Sequence, residues 1–117
     1  MKGLGTDIIE IARIEQSLQE FGHRFLERHF TPREIAYCTG YSEPAARLAG
    51  RFAAKEAIAK ALGTGFNGIG FLDIEVLNAP SGAPVAEIHL SKYKDVKVLL
   101  SISHCRLFAT ATAIILA

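Results

Sequence analysis

The chain has 117 residues, half of them hydrophobic, with a mean hydropathy of +0.23 and a formal net charge of +1. That charge excludes a general nucleic-acid binder, no uncharged apolar run of about 18 residues offers a membrane span, and Asp7 and Glu10 come too early for a secretory leader. The expectation is one cytoplasmic domain over residues 1–117, with apolar surface left over for an oligomer.

Residues 2–11 (KGLGTDIIEI) alternate as a strand, with Gly3, Gly5, Asp7, Ile9 and Ile11 on one face and Leu4, Thr6, Ile8 and Glu10 on the other. Asp7 shares its face with two isoleucines, company in which a carboxylate needs water or a bound cation. From 12 to about 30 the period becomes helical, through Ile14, Leu18 and Phe21 and then Phe25, Leu26 and Phe30, with a break near Gly22. Arg13, Arg24 and Arg28 punctuate this stretch, and the ordinary reading of each is a solvated face.

Thr31-Pro32-Arg33-Glu34 has the spacing of a capping box with proline at the first helical position, which predicts a helix to about Thr39. Residues 42–44 open a long helix that ends at Leu62, because Gly63 accepts the left-handed turn that follows a last helical residue. At 100° per residue Leu48, Phe52, Ala59 and Leu62 share one arc, and Ala49, Ala53, Glu56 and Lys60 a neighbouring one. As a surface feature Glu56 and Lys60 make an ordinary helix pair of about 0.3–0.5 kcal/mol. The two alanines on their arc leave room for something to lie close to the helix. Lys55 falls in the apolar arc, where a charge needs a partner or a route to water.

Residues 63–70 (GTGFNGIG) follow a helix and lead into a strand. That order turns the negative end of the helix toward the glycines, so neither common phosphate-cradle motif is supported. Residues 71–78 alternate as a half-buried strand, with Leu72, Ile74 and Val76 on one face and Asp73 and Glu75 on the other. A turn at 79–82 and a return strand at 85–90 make a hairpin. Two more strands, 96–103 and 107–116, are joined through His104-Cys105-Arg106. The last reads as buried on both faces, against another subunit. The fold class is α+β: an N-terminal strand, helices with one long central member, then four mostly antiparallel strands.

Cys38 and Cys105 lack metal-ligand spacing and read as reduced thiols, so a structural zinc is not expected. His104 and Cys105 are neighbours on a strand and point apart, which argues against a nucleophile pair. His23, His29 and His89 show no ligand spacing and read as surface residues. Asp7 and Glu56 are the better pair. Two hard carboxylates from separate elements suit magnesium, which bridges to substrate phosphates that Lys60, one turn on, would reach.

Four segments, GTDIIEIARI, RFAAKEAIAKALGTG, DIEVLN with its Gly-Ala-Pro turn, and LSISH, resemble in order the holo-[acyl-carrier-protein] synthase family of phosphopantetheinyl transferases. The resemblance implies transfer of phosphopantetheine from coenzyme A to a serine of acyl carrier protein, with release of adenosine bisphosphate. It further implies a place in fatty acid biosynthesis, a magnesium requirement with manganese as a substitute, and a homotrimer with active sites between subunits. Asp7 and Glu56 match the family's magnesium-binding acids, Glu56 also being the candidate to activate the serine, and Lys60 matches its lysine at the pyrophosphate. By the same resemblance His104, Arg51 and Gly63 go with coenzyme A, and Arg13 and Arg24 with the acidic carrier protein. Cys105 departs from the pattern, standing where a small hydroxyl residue is expected, which would make the rim of the site oxidisable. Asp7, Glu56 and Lys60 by themselves also allow another magnesium-dependent nucleotide or pyrophosphate enzyme, and the apolar last strand allows a non-catalytic oligomeric scaffold.

Overall fold

The structure, a computed structural model, describes residues 2–116. Strand β1 (Gly3–Glu10) runs directly into α1 (Ile11–Phe21), and Gly22 separates α1 from α2 (His23–His29). Helices α3 (Pro32–Thr39) and α4 (Pro44–Leu62) follow. A 3₁₀ turn at Phe71–Asp73 precedes β2 (Ile74–Asn78) and β3 (Pro84–Ile88), and the chain closes with β4 (Lys97–His104) and β5 (Phe108–Leu116). The α+β class is as expected, but the strands divide into two antiparallel sheets, β1-β5-β4 and the β2-β3 hairpin.

Local chemistry accounts for the helix ends. The Thr31 side chain accepts from the Glu34 N–H while the Thr31 N–H donates to Glu34 Oε1 at 2.8 Å, a complete capping box behind Pro32. α4 stops at Gly63, whose φ of +82° is open to glycine at little steric cost.

α4 is the axis of the fold, and the sequence reading of it needs correction. Ala49 and Ala53 are fully buried, so the room they leave is taken by the protein's own core. Most of α4 is enclosed: Leu48, Ile58, Ala54 and Ala57 are also at 0 % exposure, and a helix apolar nearly all round has no solvent stripe. Its closest neighbour is β1. A Cβ on Gly5 would sit 2.0 Å from the Ala57 carbonyl oxygen, and one on Gly3 1.8 Å from that of Ala61. Only glycines at these positions let the strand lie on the helix backbone, and the side chain two residues on, on the same face, is Asp7.

Lys55 finds partners. Its ammonium donates to Glu34 Oε1 at 2.7 Å, the His29 carbonyl at 2.7 Å and the Phe71 carbonyl at 2.9 Å, using all three N–H groups. Both side chains of this pair are at 0 % exposure. Glu34 Oε2 also accepts from the Val76 N–H at 2.7 Å, so one carboxylate ties α3, α4 and β2 together.

Two further expectations change. Ile11 opens α1 rather than closing β1. Residues 71–73 form a 3₁₀ turn with Leu72 out at 48 % exposure, and Glu75, expected outside, is 4 % exposed because Thr31 and Arg33 at the start of α3 cover its face of β2, opposite the buried Ile74 and Val76. Glu75 is stabilised there by Arg33 at 2.5 Å, Thr31 at 2.5 Å and His89 at 3.1 Å. β5 is the central strand of its sheet, so it offers no edge, and within one chain it is covered on one face. Ala109, Ala111, Ala113 and Ile115 face inward, whereas Ile114 lies on the outer face in register with Leu4 and Leu99. With Leu4 at 59 %, Ile8 at 66 % and Leu99 at 49 % exposure, that outer face is an open apolar surface.

Candidate active site

The close contact of β1 with α4 brings the first group of candidates together. Asp7 and Glu56 line one cleft of about 470 Å³, along with Arg13, Ser17, Phe25 and Phe52. Lys60 bends back to β1: its ammonium is 3.2 Å from Asp7 Oδ1 and 3.0 Å from the Thr6 carbonyl oxygen. It does not pair with Glu56, so the simple helix pair suggested by their spacing is absent. Burial, the charge of Asp7 and, in opposition, Lys60 together raise the Glu56 carboxyl above the usual carboxylate range. The cleft therefore holds two acids with a single ammonium on one of them, a donor set of hard oxygens that favours an added cation.

A second group lies elsewhere. Arg51 and Glu56 are five residues apart on α4, which turns them about 140° from one another around the helix. Arg51 and His104 line a groove of about 160 Å³ with Arg47, Gly50, Asn78, Gly82, Pro84 and Ile102, and no residue is common to this groove and the acid cleft. Arg51 is only 5 % exposed, its Nη2 donates to Asn78 Oδ1, and its Nε is buried without a partner. Among the described residues no carboxylate pairs with it. A buried guanidinium without a carboxylate partner is costly to bury and well suited to binding an anion. The sequence reading passed over Arg47 and Asn78 here; the four-residue spacing of Arg47 and Arg51 on α4 was the available signal.

A cavity of about 570 Å³ is lined by His104, Cys105, Arg106 and facing residues of α1 and the start of α4, and it contains neither acid of the cleft. Cys105 is exposed, and backbone hydrogen bonds from Leu107 and Phe108 hold its thiol below the usual range. The Cys105 N–H donates to the Phe108 carbonyl at 2.9 Å, and among the described residues the thiol makes no hydrogen bond to the His104 ring. Gly63 caps α4 one turn past Lys60 and lines neither the cleft nor the groove.

Arg24 lies on a third depression with Ser17, Phe21, Phe25, Arg28 and His29. Ser17 and Phe25 also line the acid cleft, so Arg13, Arg24 and Arg28 border one continuous surface leading into it. Arg28 was read as merely solvated; its spacing from Arg24 on α2 puts both on one side of that helix. His29 is not a free surface residue, being packed at 4.7 Å from the Phe25 ring and 4.8 Å from that of Phe71. His89, Glu75 and Glu87 lie within 4.8 Å of one another, though Arg33 already bridges the two acids.

The model of the 4'-phosphopantetheinyl transferase superfamily matches residues 3–113. A holo-[acyl-carrier-protein] synthase of Protochlamydia amoebophila is 51 % identical over 116 residues, covering 96 % of this chain and 95 % of the relative. Among solved structures, the Neisseria meningitidis holo-[acyl-carrier-protein] synthase aligns with a TM-score of 0.91 at 35 % identity, covering 100 % of this chain and 99 % of that one. The Helicobacter pylori holo-[acyl-carrier-protein] synthase, in complex with coenzyme A, aligns at 0.87 and 37 %, covering 96 % and 98 %. With a family model spanning nearly the whole chain, and with relatives of half-identical sequence and the same fold, this chain belongs to the 4'-phosphopantetheinyl transferase superfamily.

Proposed function

We propose that the protein moves the phosphopantetheine group of coenzyme A onto a serine hydroxyl of apo acyl carrier protein, releasing adenosine 3',5'-bisphosphate, in support of fatty acid biosynthesis. The observation that carries this reading is the cleft that Asp7 and Glu56 share with Arg13, with the Lys60 ammonium resting on Asp7. The coenzyme A complex of a relative with the same fold supports the donor.

In the reaction the serine oxygen forms a bond to the phosphorus that carries pantetheine. The bond from that phosphorus to the 5'-phosphate oxygen of the adenosine half breaks. Glu56, with its raised proton affinity, takes the serine proton, and Lys60 supplies positive charge or a proton to the leaving phosphate. Asp7 and Glu56 are the residues that would hold magnesium, or manganese in its place, and the hard-oxygen donor set fits such an ion. When bound, it would neutralise charge on the pyrophosphate.

Coenzyme A carries one more phosphate, on the ribose 3' position, and the groove of Arg47, Arg51 and His104 is the cationic surface left for it. Because cleft and groove face different sides of α4, a second copy of the chain would complete the site. The open row of Leu4, Ile114 and Leu99 supplies an apolar face for such a contact. A homotrimer with shared sites is the reading adopted, in the cytoplasm where coenzyme A and carrier protein are made. Arg13, Arg24 and Arg28 would receive the acidic carrier.

The test is intact-mass spectrometry of apo carrier protein after incubation with coenzyme A and magnesium. One added phosphopantetheine is expected, and chelation of the metal should stop the addition. An unmodified carrier would rule the reading out.

A further inference from the structure

The arginines of the groove are held in an unusual way. Arg51 has its guanidinium carbon 4.5 Å from the centre of the Tyr37 ring, and Arg47 has its own 4.1 Å from the centre of the Tyr41 ring. The two rings meet edge to face with centres 5.3 Å apart, and the Tyr41 hydroxyl donates to the Tyr37 hydroxyl at 3.0 Å. Each pair is four residues apart, one ladder at the end of α3 and the other on α4, so the order through space is Arg51, Tyr37, Tyr41, Arg47.

This arrangement is not favourable for its own sake. Like charges at that spacing on a helix repel, and neither arginine has a carboxylate partner among the described residues. Aromatic faces attract guanidinium groups without occupying their N–H donors. They therefore fix where the arginines sit and leave N–H donors for an oxyanion, although Nη2 of Arg51 is already on Asn78 Oδ1. Arg51 Nε is buried without a partner, so its guanidinium is not saturated by the protein's own acceptors.

We propose that Tyr37 and Tyr41 are positioning residues that hold Arg51 and Arg47 ready for the 3'-phosphate of coenzyme A, and so set the preference for it over 3'-dephospho-coenzyme A. This rests on the reading of the groove as the 3'-phosphate subsite. The tyrosines act through the arginines, so their loss lowers affinity for the phosphorylated form and leaves the dephospho form nearly alone.

The experiment is calorimetric titration of the wild type, Arg51→Gln, Tyr37→Leu, Tyr41→Leu and Tyr37→Phe with coenzyme A and with 3'-dephospho-coenzyme A, each protein first checked by thermal unfolding. Wild type should prefer coenzyme A, and Arg51→Gln should erase the preference. Tyr37→Leu should weaken coenzyme A about tenfold and dephospho-coenzyme A less than about twofold, while Tyr37→Phe, which keeps the ring face, should stay within about threefold of wild type. Tyr41, at 40 % exposure, is the substitution that carries the test where Tyr37→Leu does not fold. Leucine variants that keep the full preference, or that lose both ligands equally, overturn the positioning role, and the subsite itself stands if Arg51→Gln still erases the preference. A wild type that binds both forms alike overturns the subsite and the positioning role together.

Discussion

Lys55 and Lys60 lie one turn and a half apart on the same helix and do opposite things. Lys55 is wholly enclosed, and all three of its N–H groups are taken by Glu34 and two carbonyls. Burial pulls its pKa down, and the Glu34 charge works against that pull. Lys60 is 54 % exposed at its side chain and rests against Asp7 at 3.2 Å, with Glu56 nearby lacking a cation of its own. A saturated network fixes geometry, whereas an unsaturated one leaves charge to be neutralised by something that arrives. Structure and chemistry are thus divided between two faces of one helix.

The largest expected effect is on the enclosed side. Lys55→Met leaves Glu34 charged and buried without its ammonium, a change that costs about 3–5 kcal/mol of folding stability. Lys60→Met should cost less than about 1 kcal/mol, as exposed pairs do. Urea unfolding of the two variants side by side tests the division, and equal losses would break it.

Activity should reverse that order. Glu56→Gln is expected to reduce carrier modification about a hundredfold or more with the fold intact, since an amide is a poor ligand for a hard cation and cannot take a proton. Retention of more than about a tenth of wild-type rate, roughly 1.4 kcal/mol in the barrier, would remove Glu56 from the centre of the chemistry.

Carboxylates show the same contrast as lysines. Burial pushes Glu75 up, yet hydrogen bonds from Arg33, Thr31 and His89 outweigh it and hold the group at about 2, whereas Glu56 is raised. A depressed carboxylate stabilises the fold above its unfolded value of 4.5, and the contribution is lost as pH falls through about 2. Glu75→Gln should therefore cost about 1–3 kcal/mol at neutral pH, discounted for the exposure of Arg33, and progressively less in acid. A gap between the two proteins that stays constant down to pH 2 would contradict the assignment.

The smallest effect is expected on the carrier surface. Arg13→Glu should raise the KM for an acidic carrier about tenfold, near 1.4 kcal/mol, and leave that for coenzyme A within about twofold. Matching changes in both would move Arg13 from the docking surface into the reaction centre.

Much of this was legible in the chain. The capping box at Thr31 and Glu34 and the glycine at 63 are local chemistry, so α3 and the end of α4 are set by a few neighbouring residues. Asp7 and Glu56 were also readable as a pair of hard acids, and they line one cleft. What could not be read depends on tertiary closeness. Gly3 and Gly5 are readable as strand residues, but the reason they must be glycine appears only when Ala57 and Ala61 stand behind them. Glu75 keeps the alternation with Ile74 and Val76, and its face is buried by the start of α3, which strand periodicity does not encode. The run of small and branched residues in β5 does not say which face its own chain covers, because threonine and alanine serve a packed face and an open one equally well.

The central claim is that acid cleft and arginine groove are halves of one site completed by a neighbouring copy. Co-expression of Glu56→Gln chains with Arg51→Gln chains, assayed for carrier modification at low coenzyme A, tests it most directly. Each variant alone should be nearly inactive, and the mixed assembly should recover about a quarter of wild-type activity, the share of contacts that join two intact halves in a randomly mixed ring. Activity no higher than the mean of the two single variants would contradict it.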